Sequence, residues 1–66
     1  MSKNSIELGI GSFEYRLTER KRELVGFVMN EEWWNAERAL GDCIGFSAVI
    51  DELKYQAELA EVENDD

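Results

Sequence analysis

Apolar residues recur at helical spacing through the first half of the chain. They lie on one stripe of a helix, which Arg20 interrupts and Phe27 widens. The segment begins at Ser12, a good N-cap residue, so the pattern predicts helix 1 over residues 12–29. The recurring positions are Phe13, Leu17, Leu24 and Val28.

A longer periodic segment follows after a very short connection. Asn30 is a good N-cap, and the two acidic residues after it suit the first turn of a helix. The pattern predicts helix 2 over residues 30–61, and so short a connection makes the two helices antiparallel. We find no heptad repeat that matches between them. The main apolar stripe of helix 2 is Trp33, Ala36, Leu40, Cys43, Ser47, Ile50, Lys54 and Ala57, and a flanking stripe adds Phe46, Leu53 and Ala60.

Residues 1–11 show a different pattern. Ile6, Leu8 and Ile10 alternate with other residues, a period of two that predicts a short strand or an extended arm. The alternative is a floppy terminus that folds back onto the helices. Helix 1 would then be about 25 Å long and helix 2 about 45 Å, at about 1.5 Å per residue. The second half of helix 2 therefore needs another cover, which is either the arm or a second copy of the chain.

These elements predict one small, mostly α domain over residues 1–66. It is an antiparallel helical hairpin with a short helix 1, a long helix 2 and an extended N-terminal arm, and residues 62–66 form a frayed acidic tail. A domain of about 60 residues buries only about 60% of the surface of its unfolded chain, so it is marginally stable alone. We therefore expect a homo-oligomer.

The composition excludes several kinds of chemistry. The chain has 15 acidic and 7 basic residues, a net charge of −8, no histidine and one cysteine. Cys43 alone cannot form a disulfide framework or a zinc site, and it lies on an apolar stripe, where we expect it in the core. Catalysis by a Ser-His or Cys-His pair needs a histidine. We expect no enzyme activity, no metal or other cofactor and no small-molecule substrate.

The charge and hydropathy also bear on location and partners. The sequence shows no signal peptide pattern and no apolar run near the roughly 18 residues of a membrane span. A lone thiol suits a reducing compartment, so we expect a cytoplasmic protein that does not bind membranes. The net charge opposes direct binding to nucleic acid.

Two groups of residues are candidates for protein contacts. Trp33 and Trp34 point about 100° apart on a helix, so we expect Trp33 in the core and Trp34 at least partly exposed, or the reverse. The exposed tryptophan either anchors an interface or wraps the hairpin turn. Gly41, Gly45 and Ala48 are spaced for close packing of another helix, either helix 1 or another subunit. The residues expected to bind a partner are Trp34, Ile50, Leu53 and Ala57.

Charged residues suggest two further functions. Acidic residues late in helix 2 could mimic nucleic acid on a basic groove, which would make the protein an inhibitor of a host enzyme or of a nucleic-acid-binding protein. Arg16, Arg20 and Arg22 on helix 1 could instead contact RNA, although such residues usually form a solvated face. The acidic face consists of Asp51, Glu52, Glu58 and Glu61.

The stretch Leu17–Leu53 resembles small helical-hairpin proteins encoded by tailed bacteriophages. The similar features are a basic, leucine-bearing first helix, a short turn, an aromatic and acidic start of the second helix, and the segment LGDCIGF. The resemblance implies a phage setting, in the host cytoplasm or in the virion, and a binding or assembly role. It transfers no functional residue. The prediction is therefore a non-catalytic protein–protein interaction module, a phage accessory or virion assembly component; the alternative is the acidic inhibitor.

Overall fold

Two antiparallel helices and one turn make up the part of the chain, residues 2–63, that the computed structural model describes. Helix α1 is Lys3–Met29 and helix α2 is Trp33–Glu63. They form a rod with extents of 54 × 14 × 13 Å. The predicted helical hairpin is confirmed. The predicted difference in helix length is wrong, because α1 has 27 residues and α2 has 31.

The predicted N-terminal arm is part of α1. The hydroxyl oxygen of Ser2 caps the helix by accepting a hydrogen bond from the N–H of Ser5 at 3.2 Å, so the predicted cap at Ser12 is wrong. Ile6 and Ile10 are four residues apart and share one side of the helix, whereas Leu8 is 77% exposed. The alternation of apolar and other residues over so short a segment is therefore compatible with a helix as well as with a strand.

The turn occupies residues 30–32, and Asn30 ends α1 instead of starting α2. Its N–H donates to the carbonyl of Gly26 at 3.0 Å. Glu31 has a φ of 59°, the left-handed region in which asparagine and glycine are more favourable than glutamate. The carbonyl of Glu32 then accepts the first bond of α2, from the N–H of Ala36 at 2.9 Å. The predicted start of the frayed tail at residue 62 is wrong, because α2 continues to Glu63. The predicted tail residues 64–66 lie outside the described residues.

The left-handed backbone at Glu31 leads to a prediction. Glu31→Gly removes the steric cost of a Cβ there, and we expect the free energy of unfolding to rise by up to about 1 kcal/mol. Glu32→Gly is the matched control, because φ of Glu32 is not positive and glycine only adds freedom to the unfolded chain. Urea denaturation of both variants measures the difference. A loss of stability in Glu31→Gly equal to that in Glu32→Gly would contradict the turn geometry.

The core follows a heptad repeat in both helices. Buried and half-buried residues alternate at intervals of three and four, the pattern of an antiparallel coiled coil, so the prediction of no matching heptads is wrong. The predicted main stripe of α2 mixed core positions with flanking ones, and the predicted flanking stripe belongs to the core. The repeat on α1 is Ile6, Ile10, Phe13, Leu17, Arg20, Leu24 and Phe27; on α2 it is Ala36, Ala39, Cys43, Phe46, Ile50, Leu53, Ala57 and Ala60.

The first half of α1 covers the second half of α2. A Cβ atom built on Gly9 would lie 3.5 Å from Cδ1 of Leu53. The rings of Phe13 and Phe46 have centroids 6.0 Å apart and are tilted by 51°. Ile50 is only 5% exposed. The expected uncovered stretch is thus absent from the described chain, and the alternative that N-terminal residues cover it is confirmed, although they do so as a helix.

The buried core is small. Most core residues are only half-buried, and Ala39 alone in the described chain has no exposed surface. Two helices can enclose only the single stripe between them, so side chains at the flanks of that stripe keep contact with water. The residues classed as buried are Ile6, Ala36, Ala39, Cys43 and Ile50. This confirms the predicted core position of Cys43.

Candidate protein-interaction surface

An ion-pair cluster marks one edge of the hairpin. Lys3 Nζ lies 3.9 Å from a carboxylate oxygen of Glu7 on α1 and 3.4 Å from one of Glu61 on α2. The two glutamates therefore lie on the same edge. Residues seven apart in a coiled coil share a face, so this edge can be followed from both glutamates toward the turn. The positions reached there are Val28 on α1 and Leu40 and Trp33 on α2.

A second cluster marks the opposite edge. Arg20 donates to Glu23 on its own helix, and its Nε lies 2.9 Å from Oδ2 of Asp42 on α2. Glu23 follows Arg20 by three residues, whereas Glu7 follows Lys3 by four. On a helix of 3.6 residues per turn, a residue three positions ahead and one four positions ahead lie on opposite sides of the starting residue, so the two clusters lie on opposite edges. The hydrogen bond to Glu23 raises the pKa of Arg20 most, and the hydrogen bond to Asp42 and the negative charges of both carboxylates raise it further, while desolvation opposes the rise. We call this the polar edge.

The first edge is apolar in its half near the turn. Val25 precedes Val28 by one helical turn, and Ile44 follows Leu40 by one. With Trp33, these side chains are between 47% and 63% exposed. Contiguous apolar side chains with this exposure are typical of interaction surfaces. We define the apolar edge as Val25, Val28, Trp33, Leu40 and Ile44.

Two tryptophans lie beside the turn. Trp33 is 60% exposed and Trp34 is 82% exposed, so the prediction that one of them lies in the core is wrong and the prediction that Trp34 is exposed is confirmed. Residues at the start of α2 have no facing turn of α1 beyond Met29, so their side chains extend past the core. An open depression there is lined by Glu31, Glu32, Trp33, Trp34 and Asn35.

The other residues predicted to bind a partner lie inside the hairpin. Ile50 is buried, and Leu53 and Ala57 are half-buried against α1. Their prediction rests on a helix 1 that is too short to reach them, whereas α1 begins at Lys3 and covers this part of α2. Sequence reasoning missed Ile44 and Val25 as surface candidates. The signal was available, because both positions are apolar yet fall outside the heptad core.

The small residues of α2 face open space in the hairpin. A Cβ on Gly41 or Gly45 would meet no atom within 4 Å, and Gly26 on α1 is equally open. Ala48 is exposed as well. The expected close packing against helix 1 is therefore wrong. The alternative, that they pack against another subunit, stays a prediction.

The predicted acidic face is exposed on the second half of α2. Asp51, Glu52 and Glu58 are open to solvent, and Glu61 pairs with Lys3. The amide of Gln56 donates to Glu52 at 2.9 Å. These carboxylates therefore lie beyond the apolar edge, at the end of the rod away from the turn.

The basic residues of α1 are engaged within the hairpin. Arg22 pairs with Glu19 at 3.0 Å, and the guanidinium of Arg16 lies 5.4 Å from the ring centroid of Phe13. Arg20 is held at the polar edge by Glu23 and Asp42. None of the three projects as an isolated cation.

No helix between residues 2 and 63 has the length and apolarity to cross a bilayer. Within the same range, no group of three or more cysteine and acidic side chains is arranged to hold a metal ion.

Comparison of the chain with protein-family models, with curated proteins and with solved structures finds no match. The function therefore has to be inferred from the hairpin's own surface. Its most distinctive parts are the apolar edge and the exposed tryptophans at the turn.

Proposed function

We propose that the protein is a non-catalytic protein–protein interaction module that acts through self-association and partner binding. Its large exposed surface carries the proposal. The chain exposes 5140 Å², whereas a compact protein of the same mass exposes about 4,300 Å². The excess of roughly 800 Å² is about the area that one partner buries in an interface of standard size.

The character of that surface supports the same function. The apolar edge and the two tryptophans expose side chains that are favoured in interface centres, and residues 2–63 hold no third element that could cover them. Burying them would also add to a core in which few side chains are fully enclosed. Self-association would thus stabilise the fold as well as the complex.

The resemblance to phage-encoded helical hairpins supplies the setting that we propose. A phage accessory or virion assembly component acts by binding other proteins, and it needs no catalytic group. The alternative is an acidic inhibitor that mimics nucleic acid, which the exposed carboxylates of the second half of α2 favour.

Light scattering behind a sizing column, at low and high salt, tests the proposal. We expect a mass above the 7.6 kDa of one chain that changes little with salt, because burial of apolar side chains is not screened by ions. A monomer at every concentration would contradict self-association. The inhibitor would differ in its partner binding, which should weaken steeply as salt rises.

A further inference from the structure

We propose that the side of α2 that points away from α1 binds an amphipathic helix of a different protein, one whose apolar side is flanked by lysine or arginine. The inference rests on the partner binding in the proposed function and deepens it, because it names the surface and the chemistry of the partner. We call this surface the outer face. Its central row is Trp34, Gly41, Ala48, Tyr55 and Val62.

The central row of the outer face has no charged residue. The core positions Ala36, Cys43 and Ile50 recur every seven residues, and the positions five residues after them point to the opposite side of the helix. All five residues of the row are exposed, whereas the solvent side of a hairpin helix is normally polar. Apolar and small residues that repeat every seven positions there indicate a second helix-packing surface.

The middle of the outer face allows two helix backbones to approach closely. Gly41, Gly45 and Ala48 follow one another at intervals of four and three residues, and a Cβ built on either glycine meets nothing within 4 Å. Glycine inside a helix lowers its stability, and no contact within the hairpin requires it here. Trp34 and Tyr55 stand at the two ends of this flat stretch, about 30 Å apart along the helix. The stretch therefore matches a partner helix of about three heptads.

Carboxylates beside the central row determine the charge of the partner. Glu37, Asp51 and Glu58 lie on one side of the row and Glu52 lies on the other. None of these carboxylates makes an ion pair with another residue between 2 and 63. The cation in the two adjacent rows is Arg38. A helix with lysine or arginine beside its apolar side would thus supply the opposite charges that these carboxylates lack.

Neither the outer side of α1 nor a second copy fits this arrangement as well. On α1 the corresponding row contains Arg22, which is paired with the neighbouring Glu19 at 3.0 Å. A two-fold contact between two copies of the outer face would set its carboxylates against the same carboxylates. The arginines of α1 in a second copy are engaged within their own hairpin. The charges therefore favour a basic helix from a different protein.

Two synthetic peptides test the chemistry of the partner. Each is an amphipathic helix of about three heptads with leucine and alanine on one side. One peptide carries lysine beside that side, and the other carries glutamate at the same positions. We expect the full chain to bind the lysine peptide at least about tenfold more tightly, measured by fluorescence anisotropy of the labelled peptides, and to lose affinity for it as salt rises. Equal affinities, or no binding of the lysine peptide, would overturn the inference.

Matched variants test the surface. Gly45→Leu places a bulky side chain where the partner backbone would approach, and it should weaken binding of the lysine peptide about tenfold. Gly11→Leu is the control on α1, because its surroundings are equally open. Glu52→Lys should weaken binding as well, whereas Glu14→Lys makes the same change of net charge on α1 and should have a much smaller effect. Circular dichroism establishes that each variant is folded, and Ala48→Leu replaces Gly45→Leu if that protein loses its helical signal.

The outcomes separate this inference from the proposed self-association. Binding that is unchanged by Gly45→Leu and Glu52→Lys, or reduced as much by their controls, overturns the outer face as the site. Light scattering of the same samples gives the state of the protein itself. An oligomer that does not bind the lysine peptide keeps self-association and overturns the basic partner helix. A monomer that binds the lysine peptide at the outer face supports this inference and overturns self-association alone.

Discussion

Ile50→Asp is expected to unfold the hairpin. Ile50 is 5% exposed and lies in the heptad core opposite the first half of α1. A carboxylate placed there loses its hydration without a compensating partner. We expect a loss of about 4 kcal/mol or more, as much as the whole stability of so small a domain. Circular dichroism at room temperature should show most of the helical signal gone.

Two control variants separate the effect of the buried charge from the loss of the side chain and from the charge alone. Ile50→Ala removes the side chain without adding charge and should cost about 2–4 kcal/mol, measured by urea denaturation where the variant still folds. Val49→Asp carries the same charge at the neighbouring, more exposed position and should keep the helical signal. An Ile50→Asp protein with the wild-type signal and midpoint would show that Ile50 lies outside the core and that the helix register is wrong.

Replacing four helical glycines with alanine should raise stability more than any other surface change. Nothing lies within 4 Å of a Cβ at these positions, so alanine adds no clash. Each replacement should contribute about 0.5–1 kcal/mol by reducing the freedom of the unfolded chain and favouring the helix. Gly11 and Gly26 are far from each other and from the α2 pair, and Gly41 and Gly45, one helical turn apart, share no packing partner in the hairpin. The gains should therefore add to about 2–4 kcal/mol, seen as a higher midpoint in urea. The positions are Gly11, Gly26, Gly41 and Gly45.

The glycine-to-alanine variants also test the prediction that Gly41 and Gly45 contact another subunit. If Gly41 and Gly45 allow a second helix to approach closely, their two replacements should gain less stability than those at Gly11 and Gly26 and should weaken self-association. Equal gains from both pairs, with the mass unchanged, would show that these two glycines face solvent. A net loss from the α1 pair would contradict the open surroundings of these residues.

The sequence predicted the hairpin and the end of helix 1 correctly because those features depend on local signals. Apolar residues at helical spacing indicate helices, and a short connection makes them antiparallel. Met29 ends α1 as predicted. The buried position of Cys43 also followed from periodicity alone.

The helical N-terminus and the heptad core could not be predicted from such local signals. Ile6 and Ile10 fit a strand and a helix equally well over so few residues, and the helix prevailed because its stripe packs against α2. Arg20 hid the heptad, since a charged residue at a core position reads as an interruption. Its long side chain reaches Asp42 at the edge, so it can occupy the core stripe and keep its charge at the surface.

The interaction residues were misplaced as a consequence of these two errors. A helix 1 that begins at residue 12 would leave Leu53 and Ala57 uncovered, so the sequence predicts apolar contacts there and not at Leu40 and Ile44. Burial of a particular side chain depends on which helix lies opposite it, and that is a property of the pairing between distant segments. Leu40 could be recognised as exposed only once that pairing was known, whereas Ile44 already fell outside the heptad pattern of the sequence.

The pair between Lys3 and Glu61, 3.4 Å apart, places both ends of the described chain at the same pole of the rod, opposite the turn. A fluorescent label, an affinity tag or a carrier protein joined at either end therefore sits far from the tryptophans and leaves them accessible. A hairpin with neighbouring ends also suits insertion into a surface loop of a host protein, because the two attachment points need only a short gap between them. Displayed in this way, the turn would project outward by the length of the rod.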